Sequence, residues 1–243
     1  MKKKLLATWL FLITAVQVMS WPLISGTSQP LKVGDVVFVH APAGLTLRKT
    51  NSRDGAKVAL VSYAAALTIL AIPDSSAPYK AESIDSFAVS GGWVKVKTRD
   101  GLEGYLFDGY LLRYPPVLKE PQDGVDLIDW AYRTLSPPKG KRITLPQIEG
   151  SMERYKQVFV DGASFELQAY PGGSTQILDI SKSKLTMQDA LIFFRPVWFL
   201  KGKTTATYDS VKQRLEVNGE DGTSQFTIQS KGTRLLLRFA TAD

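Results

Sequence analysis

Residues 93–107, WVKVKTRDGLEGYLF, predict two short antiparallel strands joined by a tight turn. Val94 and Val96 alternate with polar or larger residues, the pattern of a strand with one buried face. Asp100-Gly101 is a residue pair that closes a tight hairpin. The stretch therefore predicts a β-hairpin that turns one face towards a core.

The sequence on both sides of this hairpin shows the same kind of pattern. From about residue 33 to residue 113, short apolar or alternating runs are bounded by turn residues. Residues 73–92 break the pattern and contain Pro, Ser and Gly, so we predict a long loop there. The other predicted strands of this region are Val36–His40, Gly44–Arg48, Lys57–Val61 and Leu67–Ile72.

Four pieces of this region carry a family resemblance when they are taken in order. They are Gly44–Arg48, the turn and strand at 54–61, Gly92–Val96, and the hairpin at 100–105 followed by Gly109–Leu111. Their order and spacing resemble the bacterial SH3 domain family (SH3b). The resemblance implies an N-terminal SH3-like β-barrel that binds ligands; in related exported proteins such domains often contact peptidoglycan or other wall polymers.

A barrel of this kind would carry an aromatic and polar ligand-binding surface. Aromatic rings stack on sugars or peptides, and an arginine fork binds carboxylates. The candidate ligand-binding residues are Arg48, Tyr79, Trp93, Tyr105 and Tyr110. The alternative is that Trp93 and Tyr110 close the core of the barrel and that Arg48 is an ordinary surface residue.

The second half of the chain resembles no family that its motifs identify. Residues 114–124 contain three prolines and are the predicted linker. Beyond them, 125–243 predict a mostly β (α+β) domain with two short helices, one at 126–134 and one that Thr186 caps and Pro196 ends. The predicted strands are Lys156–Val160, Ser164–Ala169, Gln176–Ile180, Thr204–Asp209, Gln213–Val217, Ser224–Gln229 and Thr233–Phe239.

The first 26 residues have the features of an export signal. Lys2–Lys4 precede an apolar run at 5–18, about 14 residues long, which is short for a membrane span. If this segment stays uncleaved, it would tether the protein to a membrane. We therefore predict an exported protein of the periplasm or cell envelope.

Composition excludes several kinds of chemistry. The 30 basic and 23 acidic residues give a net charge of +7, which suits polyanionic surroundings such as cell wall or lipid headgroups. The basic residues are scattered singly, which is not typical of a nucleic-acid-binding surface. With no cysteine, the chain has no thiol nucleophile and no thiolate metal ligand. His40 is the only histidine, so the chain cannot supply the two or three histidines of a typical zinc site. A Ser–His–Asp triad would have to use His40 itself. We predict no cofactor and no metal.

Three functions stay open at this point. The first is a non-enzymatic envelope binding or scaffold protein whose SH3-like domain recognises peptidoglycan or another cell-wall polymer. The second is a protein–protein adaptor that binds a partner's peptide. The third is a glycan hydrolase that uses carboxylates alone. The candidate acidic pairs are Glu149 and Glu153, Asp126 and Asp129, and Glu220 and Asp221.

Overall fold

The computed structural model describes residues 30–73, 79–84, 87–118, 126–180, 185–198, 204–220 and 222–242, with the backbone alone at 79–84, 196–198 and 204. The predicted export signal at 1–26 and most of the predicted linker at 114–124 lie outside these residues. In the described part, no helix is long and apolar enough to cross a membrane.

Nine strands form the first half of the described chain. All of them except β5 and β6 belong to one antiparallel sheet, in the order β3-β2-β8-β7-β4-β1-β9. The strands are β1 (Val36–Val39), β2 (Leu45–Arg48), β3 (Lys57–Val61), β4 (Ala66–Ala71), β5 (Tyr79–Ile84), β6 (Phe87–Gly91), β7 (Trp93–Thr98), β8 (Glu103–Phe107) and β9 (Leu111–Leu112). Among the described residues this sheet is open, with β3 and β9 at its two edges.

The hairpin that the sequence predicts at 93–107 is β7–β8. Trp93 lies opposite Phe107 and Lys97 lies opposite Glu103 across the pair. Gly101 in the connecting turn has a φ of +89°, which explains why glycine stands there. The predicted alternation is confirmed, because Val94 and Val96 are buried while their neighbours Trp93 and Lys95 are only half-buried.

The segment 73–92, predicted as a loop, contains the separate two-stranded hairpin β5–β6. The prediction of a plain loop was wrong at 79–84 and 87–91, which form strands, and Phe87 and Val89 are buried on alternate positions of β6. The backbone N–H of Gly92 donates to the Asp108 carboxylate at 2.6 Å. This bond fixes the end of the hairpin against a one-turn 3-10 helix at Asp108–Tyr110.

The second half forms an eight-stranded antiparallel sheet in the order β10-β11-β12-β13-β17-β16-β15-β14, with two helices. The strands are β10 (Ile143–Thr144), β11 (Glu153–Val158), β12 (Ser164–Tyr170), β13 (Gly173–Ile180), β14 (Thr204–Asp209), β15 (Arg214–Gly219), β16 (Ser224–Lys231) and β17 (Arg234–Ala242). The helices are α1 (Leu127–Tyr132) and α2 (Met187–Trp198). A mainly β fold with few helices is thus confirmed.

Helix α2 begins at the predicted cap and runs further than predicted. The hydroxyl of Thr186 accepts from the N–H of Asp189 at 3.0 Å, and the Asp189 carboxylate accepts from the N–H of Thr186 at 2.8 Å. The prediction that Pro196 ends the helix was wrong, since the helix continues to Trp198. Proline this close to the C-terminus removes an N–H from the last turn only, which tertiary packing can offset.

Helix α2 also joins the two halves of the protein. Residues 187–194 are buried on every side, as is typical of a helix enclosed in a core. One side packs against β16 of the second sheet. On the other side, the buried Gln188 amide bonds to Ser90 in β6. Helix α2 therefore links the β5–β6 hairpin of the first half to the second sheet, and a contact between the Phe87 and Tyr208 rings adds a second link between β6 and β14.

Candidate functional site

Three of the predicted site residues share one face of the first sheet. Lys95 in β7 lies opposite Tyr105 in β8, and Tyr105 in turn lies opposite Arg48 in β2. Because side chains alternate along a strand, Trp93 lies on the same side of β7 as Lys95. We call the side chains of Arg48, Trp93, Lys95 and Tyr105 the aromatic–basic face.

Arg48 is held at this face by the turn that follows β2. Its Nη1 donates to the carbonyl of Gly55 at 2.8 Å, and its side chain is half-buried. The neighbouring strand β8 passes close by at Gly104, where a Cβ would lie 2.7 Å from the Arg48 carbonyl oxygen. Glycine at position 104 therefore lets β2 approach β8, and Arg48 lies opposite Tyr105 across the pair.

A row of edge-to-face rings supports the aromatic end of the face. The Trp93 and Phe107 rings are 6.4 Å apart, and the Phe107 and Tyr110 rings are 6.2 Å apart. Trp93 is half-buried, so part of its indole is accessible. Tyr110 is only 7% exposed and lies in the core, where it supports Phe107. For Tyr110 the structure therefore favours the core alternative over a surface role.

Tyr79 is the remaining predicted site residue. Its backbone pairs with Gly91 in the β5–β6 hairpin. Its side chain lies outside the described atoms, so we do not include it in the aromatic–basic face.

Sequence reasoning missed two lysines of this region, Lys95 and Lys97. Lys95 forms an ion pair with Glu103 at 2.9 Å, and both side chains are more than a third exposed. Their hydrogen bond raises the pKa of Lys95 and lowers the pKa of Glu103. The signal was present in the sequence, because both lysines follow Trp93 at alternate positions of a predicted strand.

The single histidine lies in the core, away from the face. His40 is 1% exposed, and its ring lies 5.9 Å from that of Phe193 in α2. Its Nε2 lies 2.9 Å from the carbonyl oxygen of Tyr114, which can only accept, so Nε2 carries the hydrogen. Its Nδ1 is buried and has no hydrogen-bond partner among the described residues. Burial lowers the pKa of His40 to about 4.

The pair Asp126 and Asp129 lies at the start of α1 and is engaged by arginines. Asp129 is 1% exposed and accepts from Arg133 at 2.7 Å and from Arg142 at 2.8 Å. Asp126 lies 3.5 Å from the same Arg142 nitrogen. Burial raises the pKa of Asp126 to about 6 despite the attraction of Arg142.

The other acidic pairs are Glu149 with Glu153 and Glu220 with Asp221. Glu149 and Glu153 are both exposed, the first in the loop before β11 and the second at its start. Of the pair Glu220 and Asp221, the aspartate lies outside the described residues.

We expect Asp126→Asn to raise the free energy of unfolding at pH 7 by about 1 kcal/mol. At that pH the wild-type carboxylate is charged in a partly buried site, and its raised pKa means that the folded state binds the proton more tightly than the unfolded state. The advantage of the variant should therefore shrink as the pH falls from about 6 towards 4. Urea unfolding at pH 7 and pH 4.5 measures this; a variant less stable at both values would contradict it.

The chain matches no known family model, no curated protein and no solved structure.

Proposed function

We propose that this protein is a non-enzymatic, exported envelope binding or scaffold protein. Its N-terminal region would be an SH3-like unit that recognises peptidoglycan or another cell-wall polymer. Residues 1–26 would direct export to the periplasm or cell envelope, or would anchor the protein if they stay uncleaved.

The strand pairings of the first sheet support an SH3-like unit. β1 pairs with both β4 and β9, and β4, β7 and β8 follow as neighbours in the sheet. The 3-10 helix at Asp108–Tyr110 leads directly into β9. Five strands connected in this way fit the small, partly open barrel that the SH3b resemblance implies, with β5–β6 as an inserted hairpin.

The observation that carries the proposal is the aromatic–basic face. It places the half-buried rings of Trp93 and Tyr105 beside Arg48 and Lys95 on a regular sheet. Rings of this kind stack on sugars, and the two cations pair with carboxylates. A wall polymer offers both groups, since its glycan carries sugar faces and its peptide stems carry carboxylates.

The absence of an enzymatic role is proposed on three observations. The chain has no cysteine, and its one histidine, His40, is enclosed in the core with Nε2 bound to a backbone carbonyl. The more buried of the acidic pairs, Asp126 and Asp129, is held by Arg142. Ion pairs of this kind commonly hold the start of a helix in place, which supports a structural role for these carboxylates.

One observation favours the adaptor as a second candidate. Among the described strands, β3 is an edge strand that pairs with β2 alone, and its Val58 and Leu60 are 38% and 56% exposed. Exposed apolar side chains on a free strand edge suit the addition of a partner's extended peptide. A partner captured from solubilised membranes that is lost with Leu60→Glu, but kept when Trp93 and Tyr105 are replaced, would favour this function.

We expect the purified protein to co-sediment with insoluble peptidoglycan, and the double variant Trp93→Ala, Tyr105→Ala to bind at least about tenfold more weakly. The two rings supply most of the stacking area of the face. Tyr170→Ala on the second sheet is the matched control and should bind as the wild type does. Protein that stays in the supernatant at every peptidoglycan concentration would sink the wall-binding proposal.

A further inference from the structure

A line of cations extends the aromatic–basic face along β7. Trp93 is followed at alternate positions by Lys95, Lys97 and Arg99, the last in the exposed turn that leads to β8. Alternate side chains on a strand stand roughly 7 Å apart. We call these four residues the β7 stripe.

The turn between β2 and β3 adds more positive charge at the same end of the sheet. It follows Arg48, which lies opposite Tyr105 of β8, so it lies next to the end of the stripe. Together, segments 48–57 and 95–103 contain seven basic and three acidic residues. Their net charge of +4 is more than half of the +7 of the whole chain, so the charge is concentrated here.

We propose that the β7 stripe binds a linear polymer that carries repeating anionic groups, with Trp93 stacking on a sugar or backbone unit at its end. The proposal deepens the wall-binding function and rests on it. The shared ligand chemistry is a row of anionic oxygens, which either phosphodiester links or carboxylates can supply.

The geometry favours a polymer over a small anion. Lys97 and Arg99 are exposed, and the cations are spaced along a line rather than converging on one point. A single exposed ion pair contributes little, because water and salt screen it. Several such pairs on one chain add their contributions, since the later contacts form at a high effective concentration.

Glu103 opposes such a ligand from the neighbouring strand β8. It lies opposite Lys97 and pairs with Lys95 at 2.9 Å. A polymer anion competes with the Glu103 carboxylate for the Lys95 ammonium and is repelled by the charge of Glu103. The stripe therefore predicts that removing this negative charge strengthens binding, which a merely structural ion pair would not do.

The test measures the affinity of the full chain for three soluble probes: poly-L-glutamate, linear polyphosphate and uncharged dextran. We expect binding to one or both anionic probes and none to dextran.

Glu103→Gln should bind about threefold more tightly and Lys97→Gln about threefold more weakly. Lys231→Gln, which removes an exposed lysine of the second sheet, is the control and should change nothing. The affinity should fall as NaCl rises from 50 to 200 mM, as polyanion binding does.

The relative affinity for the two anionic probes distinguishes the two kinds of ligand. A site for phosphodiester links should bind polyphosphate more tightly, and a site for carboxylates should bind polyglutamate more tightly. The proposal would be overturned if the protein bound dextran as tightly as the anionic probes. It would also be overturned if Glu103→Gln and Lys97→Gln bound the anionic probes with the affinity of the wild type. Binding to phosphatidylglycerol vesicles but to neither polymer would also overturn it and would assign the stripe to a membrane surface. Binding to peptidoglycan that persists while both polyanions fail would leave the proposed function standing and remove this inference alone.

Discussion

Replacing Gln188 by leucine is expected to lower the free energy of unfolding by about 3 kcal/mol. The Gln188 side chain is 0% exposed, and its amide pairs with the backbone of Ser90. Its Oε1 accepts from the Ser90 N–H at 3.0 Å, and its Nε2 donates to the Ser90 carbonyl at 2.8 Å and to the Gly109 carbonyl at 3.3 Å. Leucine has a similar size but removes all three bonds at the contact between the two halves.

Urea unfolding of the wild type, Gln188→Leu and Gln168→Leu would measure this effect. Gln168 is a half-buried glutamine on the second sheet, where it bonds to Glu166 and Tyr170 near solvent. Water can replace those bonds, so the control should lose less than about 1 kcal/mol. Equal losses in the two variants would show that Gln188 does not hold the halves together.

As the pH falls from 6.5 to about 4, the titration of His40 is expected to lower the free energy of unfolding by about 3 kcal/mol. The folded state holds this imidazole neutral, with a pKa near 4 against an ordinary value of 6.5. The unfolded state therefore takes up the proton first. The stabilisation that the neutral His40 contributes is fully present above pH 6.5. It decreases between pH 6.5 and about 4 and is lost below that value.

His40→Gln isolates this contribution, because the glutamine Nε2 can keep the bond to the Tyr114 carbonyl. Protonation of Asp126 below about pH 6 raises the free energy of unfolding, which is opposite to the effect of His40. Both proteins in the comparison therefore also carry Asp126→Asn. Unfolding free energies measured between pH 7 and 4.5 should then decrease more steeply with histidine than with glutamine. Parallel curves would show that the buried ring does not resist protonation.

Local sequence patterns were sufficient to predict much of the fold. The β7–β8 hairpin follows from alternation and from Asp100-Gly101, which act within a few residues of each other. The start of α2 follows from Thr186 and Asp189, three positions apart. In these cases the residues that determine the structure are neighbours in the chain.

The errors arose where distant contacts determine the structure. The hairpin β5–β6 is fixed by Gln188, 98 residues away from Ser90, and no local pattern indicates that partner. Helix α2 likewise continues past Pro196, where propensity alone predicts an end.

The candidate site shows the same division between local and distant information. Trp93 and Lys95 are linked by strand alternation and could be paired from the sequence. Arg48 reaches Tyr105 only because β2 lies beside β8, and their separation of 57 residues gives no local signal. For Tyr110 the sequence left the ligand-binding and the core interpretations open, and its burial with an edge-to-face contact to Phe107 favours the core.

The central claim, that the aromatic–basic face binds wall polymer, is tested most directly by mapping the contact on the protein itself. The isotope-labelled protein would be titrated with soluble peptidoglycan fragments and followed by NMR. We predict saturable shifts of the Trp93 indole N–H and of the backbone amides of Arg48, Lys95 and Tyr105, with the second sheet unchanged. Shifts confined to β11–β17, or none at saturating fragment concentration, would contradict the account.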